Sequence, residues 1–133
     1  MNIHTLFLIG GQDDESATFI ETEIGGSCNL TCNYRGKQIK ASAEDFFEAL
    51  RIIRLRLELE GLIPFCYGAS LNVFPSGMAR SMATGKVAYK MQPGKHASKS
   101  DLKNIFSEGP DVIPASIAQQ QEYFSDWASS ERA

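Results

Sequence analysis

Between residues 25 and 36 the chain carries two turn signals, Gly25-Gly26 and Arg35-Gly36, on either side of the eight-residue run Ser27–Tyr34. That run alternates, with Cys28, Leu30, Cys32 and Tyr34 on one side and Ser27, Asn29, Thr31 and Asn33 on the other. Successive strand side chains point to opposite faces, so the pattern predicts one half-buried strand. Turns this short join antiparallel neighbours, because a parallel crossover needs about a dozen residues or more. Strands are therefore expected on both sides, over Ala17–Ile24 and near Ile39. With His4–Ile9, which is stopped by Gly10-Gly11 and followed by the acidic loop Asp13-Asp14-Glu15, the N-terminal third reads as an antiparallel β-meander. On the Ala17–Ile24 strand, Ile20 and Ile24 share a face. Packing that face inward leaves Glu21 and Glu23 to solvent.

Beyond the meander the spacing changes to that of a helix. Phe46, Ala49, Leu50, Ile53 and Leu57 recur at helical intervals, Ser42 with Asp45 forms an S-x-x-D box before them, and Gly61 follows. Arg54 with Glu58 and Arg56 with Glu60 lie four apart and read as a solvated outer face. Leu62–Tyr67 and Leu71–Phe74 look like strand segments. Pro75-Ser76-Gly77 opens a short helix through Met82, ended by Gly85, and Lys86–Met91 is a further strand. Ser98 and Asp101 repeat the capping pattern ahead of a short helix through Phe106. Pro114 starts a last helix, with Ile117, Gln121, Phe124 and Ala128 in a stripe and Trp127 beside it. The expected fold is α+β: the meander, one long amphipathic helix, further strands and C-terminal helices, in a single domain over 1–133. A chain of this length can bury about two-thirds of its unfolded surface in one core.

Signatures of chemistry are sparse. There is no Walker loop, G-x-G-x-x-G, H-E-x-x-H or G-x-S-x-G. Only two histidines are present: His4 opens a strand and His96 lies in the loop-like QPGKHASKS. Cys28 and Cys32 are four residues apart on one strand face, about 13 Å, well beyond the roughly 7 Å reach of a disulfide. They read as small inward hydrophobes, and with Cys66 the expectation is three free thiols. Neither a metal nor a cofactor is expected. Glu21 and Glu23 share a strand face about 6.6 Å apart, but paired acids without an accompanying signature are a weak basis for acid–base chemistry, so no catalytic residue is assigned. The apolar opening HTLFLIGG is too short to cross a bilayer and lacks a basic leader or cleavage site, which leads to the expectation of a cytosolic protein with no membrane partner.

Charge is more informative. Residues 1–34 hold five acids (Asp13, Asp14, Glu15, Glu21, Glu23) and no Lys or Arg, whereas residues 80–103 hold six basic residues against Asp101 alone. From 104 onward the chain is acidic again. A net charge of −3, with a basic block lacking interleaved aromatics, argues against nucleic acid as the main partner. Segregated charge can steer a partner of opposite sign, or the blocks can cancel where folding interleaves them.

The segment Gly61–Met91, GLIPFCYGASLNVFPSGMARSMATGKVAYKM, combines a Gly-Ala pair before a strand, then P-S-G-M-A-R-x-M, then G-x-x-A-Y. It resembles small bacterial proteins of polymorphic-toxin systems, the immunity proteins that accompany contact-dependent-inhibition and Rhs-associated toxins. The resemblance implies a non-enzymatic cytosolic protein that binds and neutralises a cognate toxin domain. It transfers no site residue. From the charges, the partner surface is expected at Asp13, Asp14, Glu15, Glu21 and Glu23. The alternative is a small-molecule or anion-binding module, with or without enzymatic activity, built around Ser76–Lys90. There Ser76 and Gly77 would offer a helix start and Arg80 and Lys86 positive charge; against that reading, Ser76 as a cap and Gly85 as a terminator make Pro75–Gly85 chiefly scaffolding for the flanking strands.

Overall fold

The structure, a computed structural model, describes residues 2–131. Strands β1 (Asn2–Ile9), β2 (Ser16–Ile24), β3 (Ser27–Tyr34) and β4 (Lys37–Ala43) form the expected antiparallel meander. The two-residue strand β5 (Ile63–Pro64) adds to β1, giving the order β4-β3-β2-β1-β5. Both hairpin turns have positive φ at their two central residues, at Gly25 and Gly26 and at Arg35 and Gly36. That is the turn whose twist matches the strands it joins.

Helix α1 (Phe46–Glu58) lays its apolar stripe across the inner face of the sheet. Phe46, Phe47, Leu50, Ile53 and Leu57 meet Leu6, Leu8, Phe19, Leu30 and Cys32, all buried. Asp45, rather than Ser42, caps this helix: its Oδ1 accepts the Glu48 N–H at 2.8 Å. Ser42 belongs to β4, where it bonds to Asn29. A second sheet of three short strands, β6 (Val73–Phe74), β7 (Val87–Lys90) and β8 (Leu102–Asn104), sits beyond α1, with the short helix α2 (Gly77–Met82) between β6 and β7. The last helix, α3 (Ile117–Glu131), packs against β6 through Phe124 on Phe74. The architecture is α+β in one core.

Four further expectations change. The apolar run Leu62–Tyr67 is a strand only at Ile63–Pro64 and then tightens into a 3-10 turn at Tyr67–Ala69. The capping box at Ser98 and Asp101 is present, yet it opens one 3-10 turn, after which the chain pairs with β7 as β8. The face of β2 is the reverse of that expected: Ala17, Phe19 and Glu21 point inward while Ile24 is 69% exposed. Register explains this. The Gly25-Gly26 turn sets Ile24 opposite Ser27 and Glu23 opposite Cys28, so the inward alternation of β3 carries Glu21 and Phe19 inward with it.

The fourth change is Arg54. It is not on a solvated face with Glu58 but is 1% exposed. One guanidinium nitrogen donates to Gly68 O at 3.0 Å and Gln120 Oε1 at 2.7 Å, and the other donates to Ala115 O at 3.0 Å. Gln120, also buried, donates from Nε2 to the carbonyls of Gly68, Ser70 and Val73. Position explains the burial, because Arg54 lies four residues from Leu50 and three from Leu57 on the stripe that faces the core. Together the pair joins α1, the 3-10 turn and α3. Glu58 turns elsewhere and accepts the Ile117 N–H at the start of α3.

Candidate functional site

The five N-terminal acids do not form one patch. Glu21 is 4% exposed; its Oε2 contacts His4 Nε2 at 2.7 Å and its Oε1 contacts Lys86 Nζ at 2.8 Å. The His4 ring stacks on Phe106, with centroids 4.6 Å apart, and Lys86 lies over the Phe46 ring. Burial pushes the Glu21 carboxyl up, but hydrogen bonds from Lys86 and His4 and the charge of Lys86 outweigh it and hold it below the usual carboxylate range. The expectation that Glu21 faces solvent is thereby corrected: it fastens β2 to the residue that leads into β7.

Glu15 is likewise engaged. The guanidinium of Arg35 donates to both its carboxylate oxygens, and the Gln12 N–H donates to Oε1. Those bonds, that of Arg35 first, hold its pKa below the ordinary value. Asp13 and Asp14 project from the β1–β2 turn, and Glu23 is 51% exposed at the far end of β2, with Lys86 Nζ 3.7 Å away. The acidic surface is therefore two separate pieces.

Residues 76–86 resolve into scaffolding. Ser76 caps α2 by accepting the Ala79 N–H at 3.0 Å, and Gly77 is its first residue. Arg80 Nη1 meets Asp45 Oδ2 at 3.2 Å, and its guanidinium lies over the rings of Phe47 and Phe74. The Phe46 N–H donates to Thr84 O at 2.7 Å. A Cβ on Gly85, whose φ is +71°, would come within 2.8 Å of Asp45 Oδ1. Asp45 thus caps α1 with one oxygen and fastens the α2 segment with the other. Both cations proposed for an anion, Arg80 and Lys86, face carboxylates of the same chain.

The largest exposed apolar side chains of the sheet lie on its outer face. Along β1, Ile3 is 60% exposed and Phe7 50%, and Ile9 follows on the same side. Ile20 stands opposite Ile3 across the β1–β2 pair, and Ile24 continues that face of β2. Towards β3 and β4 the face becomes polar, with Thr31, Asn29, Asn33 and Lys40. The sequence held a signal for this face. In β1 both alternating sets, Leu6 and Leu8 as well as Ile3, Phe7 and Ile9, are apolar, yet only one layer covers the strand. Among the described residues no group of three His, Cys, Asp or Glu could hold a metal ion. Nor, among the described residues, is any helix long and apolar enough to cross a membrane. Compared with known proteins, the chain matches no family model and no curated sequence.

Proposed function

We propose that this protein is an inhibitory binding partner: it docks on a cognate bacterial toxin domain in the cytosol and blocks it, without catalysis of its own. The observation that carries the reading is the outer face of the five-stranded sheet. Ile3, Phe7, Ile9 and Ile24 are each more than two-fifths exposed there, and Asp13 and Asp14 stand at one end. Exposed apolar side chains clustered on one regular surface and rimmed by polar groups mark interaction sites. Four long strands span about 19 Å across and about 25 Å along, roughly 480 Å² of face, a little over half of one partner's share of a standard interface. The resemblance of Gly61–Met91 to toxin-immunity proteins supplies the class of partner. The engagement of Glu15, Glu21, Arg80 and Lys86 in internal pairs favours binding over acid–base work.

The test is co-expression with the toxin domain encoded beside this gene, followed by binding kinetics on the purified pair. Wild type should protect cells and bind tightly. The double substitution Ile3→Glu/Phe7→Glu changes two exposed side chains, so it should fold normally yet lose binding by about a hundredfold or more. No protection and no binding by wild type would sink the toxin reading. Protection with an unaffected double variant would move the interface off this face.

A further inference from the structure

Between β6, β7, the 92–97 loop and α3 lies a hollow of about 390 Å³ with an aromatic lining. Its walls include Phe74, Tyr89, Met91, Phe124 and Trp127, with Ser76 and His96 among the polar groups. The volume falls in the range of small-molecule sites, which are largely apolar with a few polar groups fixing orientation. None of these residues belongs to the outer sheet face, so the hollow is independent of the toxin reading.

Its walls are set in advance. Phe74 and Phe124 stack with centroids 4.1 Å apart and planes 14° apart, and Trp127 continues the series at 6.2 Å from Phe124. The Trp127 indole N–H donates to Gln92 O at 3.0 Å and Lys95 O at 3.1 Å, fixing both the ring and the loop that faces it. Tyr89, on β7, adds a further aromatic side chain to the wall.

Charge identifies the kind of occupant. Of the six cations in residues 80–103, Arg80, Lys86 and Lys90 pair with Asp45, Glu21 and Asp111, and Lys103 lies over the Tyr67 ring. Lys95 and Lys99 have no ion pair among the described residues; Lys95 lies in the 92–97 loop beside the hollow, and Lys99 follows two residues after Ala97. Lys95 lines a second, polar hollow of about 230 Å³ that shares His96 with the first. The one acid there, Asp101, accepts from Ser98 N at 3.0 Å and Ser98 Oγ at 3.2 Å. Asp126 lines a different hollow, with Trp127 and Tyr123.

We propose that the aromatic hollow binds a small planar aromatic molecule bearing an anionic group, its ring extending the stack at Trp127 and its charge directed to Lys95. Offset stacking rewards a flat ring beyond its buried area. Only an anion has a complement at the neighbouring lysines.

Trp127 is the single tryptophan, so its indole N–H gives one resonance reporting on the wall of the hollow. The ¹⁵N-labelled protein is titrated with 2-naphthoate and, separately, with neutral 2-naphthylmethanol. The expected result is a saturable shift of that resonance with naphthoate, with the neutral compound about tenfold weaker. Lys95→Glu/Lys99→Glu should weaken naphthoate alone by about tenfold, the combined effect of two exposed charge pairs. Ala97→Phe, which fills the hollow, should abolish binding of both compounds, with Ala97→Leu as a milder plug should the larger side chain unsettle the loop. Three results would overturn the proposal: an indole unmoved by either compound at millimolar concentration, equal binding of the two compounds, or binding indifferent to both plugs. Burial of the indole by the toxin domain, with no response to naphthoate, would assign the hollow to the protein interface and also overturn it.

Discussion

Arg54 offers the sharpest test of how the two halves of the core are joined. Burial pushes its guanidinium from the ordinary 12.5 down to about 10, so holding it charged at neutral pH costs about 3 kcal/mol. Three donated bonds, two to backbone carbonyls and one to Gln120, offset that cost. Hydrogen bonds to a charged group contribute about 1.5–3 kcal/mol each. Arg54→Met keeps the apolar stem and relieves the charge, but it leaves the Ala115 carbonyl and Gln120 Oε1 without this donor in a dry interior. The gain and the losses together leave a destabilisation of about 3 kcal/mol. Arg54→Lys, which keeps a charge but cannot fork to both sides, should lose about half as much. Urea unfolding of the three proteins measures this directly, and thermal unfolding should show a fall of about 10 °C for Arg54→Met in a domain of this size. An Arg54→Met protein within about 0.5 kcal/mol of wild type would refute the view that this network holds α1 to α3.

Two further outcomes follow from the side chains placed in the core. Thiol titration of denatured, unreduced protein should count three free thiols, and the native protein should react only slowly at pH 8, because burial pushes Cys32 up to about 12 and Cys66 up to about 11 and raises Cys28 as well; rapid native labelling would contradict the inward orientation. Glu21→Gln should cost about 2 kcal/mol at pH 7; because the native carboxyl lies below its ordinary 4.5, that contribution is complete above this value and vanishes as pH falls through the depressed native value, so urea midpoints of wild type and variant should converge in acid. A pH-independent difference would show that Glu21 acts by shape alone.

The meander was legible because its turns and its alternation are local. Gly25-Gly26, Arg35-Gly36 and the Cys28–Tyr34 alternation each act within a few residues, and all are realised. The same turn contained the answer for Glu21. A two-residue turn places Ile24 opposite Ser27, and inward Cys28 then makes Glu23 and Glu21 share its face. The positions of the β2 isoleucines alone point the other way. Arg54 is a related case: its charge suggests solvent while its spacing from Leu50 and Leu57 places it on the core stripe. Its partners, Gly68, Ala115 and Gln120, lie 14, 61 and 66 residues away. No local pattern reveals a buried cation's carbonyls at such separations. The aromatic hollow is hidden in the same way, since Phe74, Tyr89 and Trp127 meet only through tertiary packing.

The segregation of charge along the chain takes on a different meaning once the pairs are placed. Glu21 from β2, Asp45 before α1 and Asp111 from the acidic C-terminal stretch each take one cation from residues 80–90, at 2.8, 3.2 and 2.8 Å. The first two of these pairs dock the second sheet and α2 onto the first sheet and its helix, and the third ties β7 to the stretch before α3. What the N-terminal acids leave for a partner is modest: Asp13 and Asp14 at one end of β2 and Glu23 at the other. Seven residues of strand, about 23 Å, separate Ser16 from Glu23, beyond the roughly 8 Å screening length at physiological salt. The two ends therefore act as separate weak fields, and neither supplies the strong steering that five contiguous acids would give. On the proposed docking, affinity would come from the side chains desolvated on the Ile3–Phe7–Ile24 face, so substitutions there should change dissociation far more than the speed of encounter.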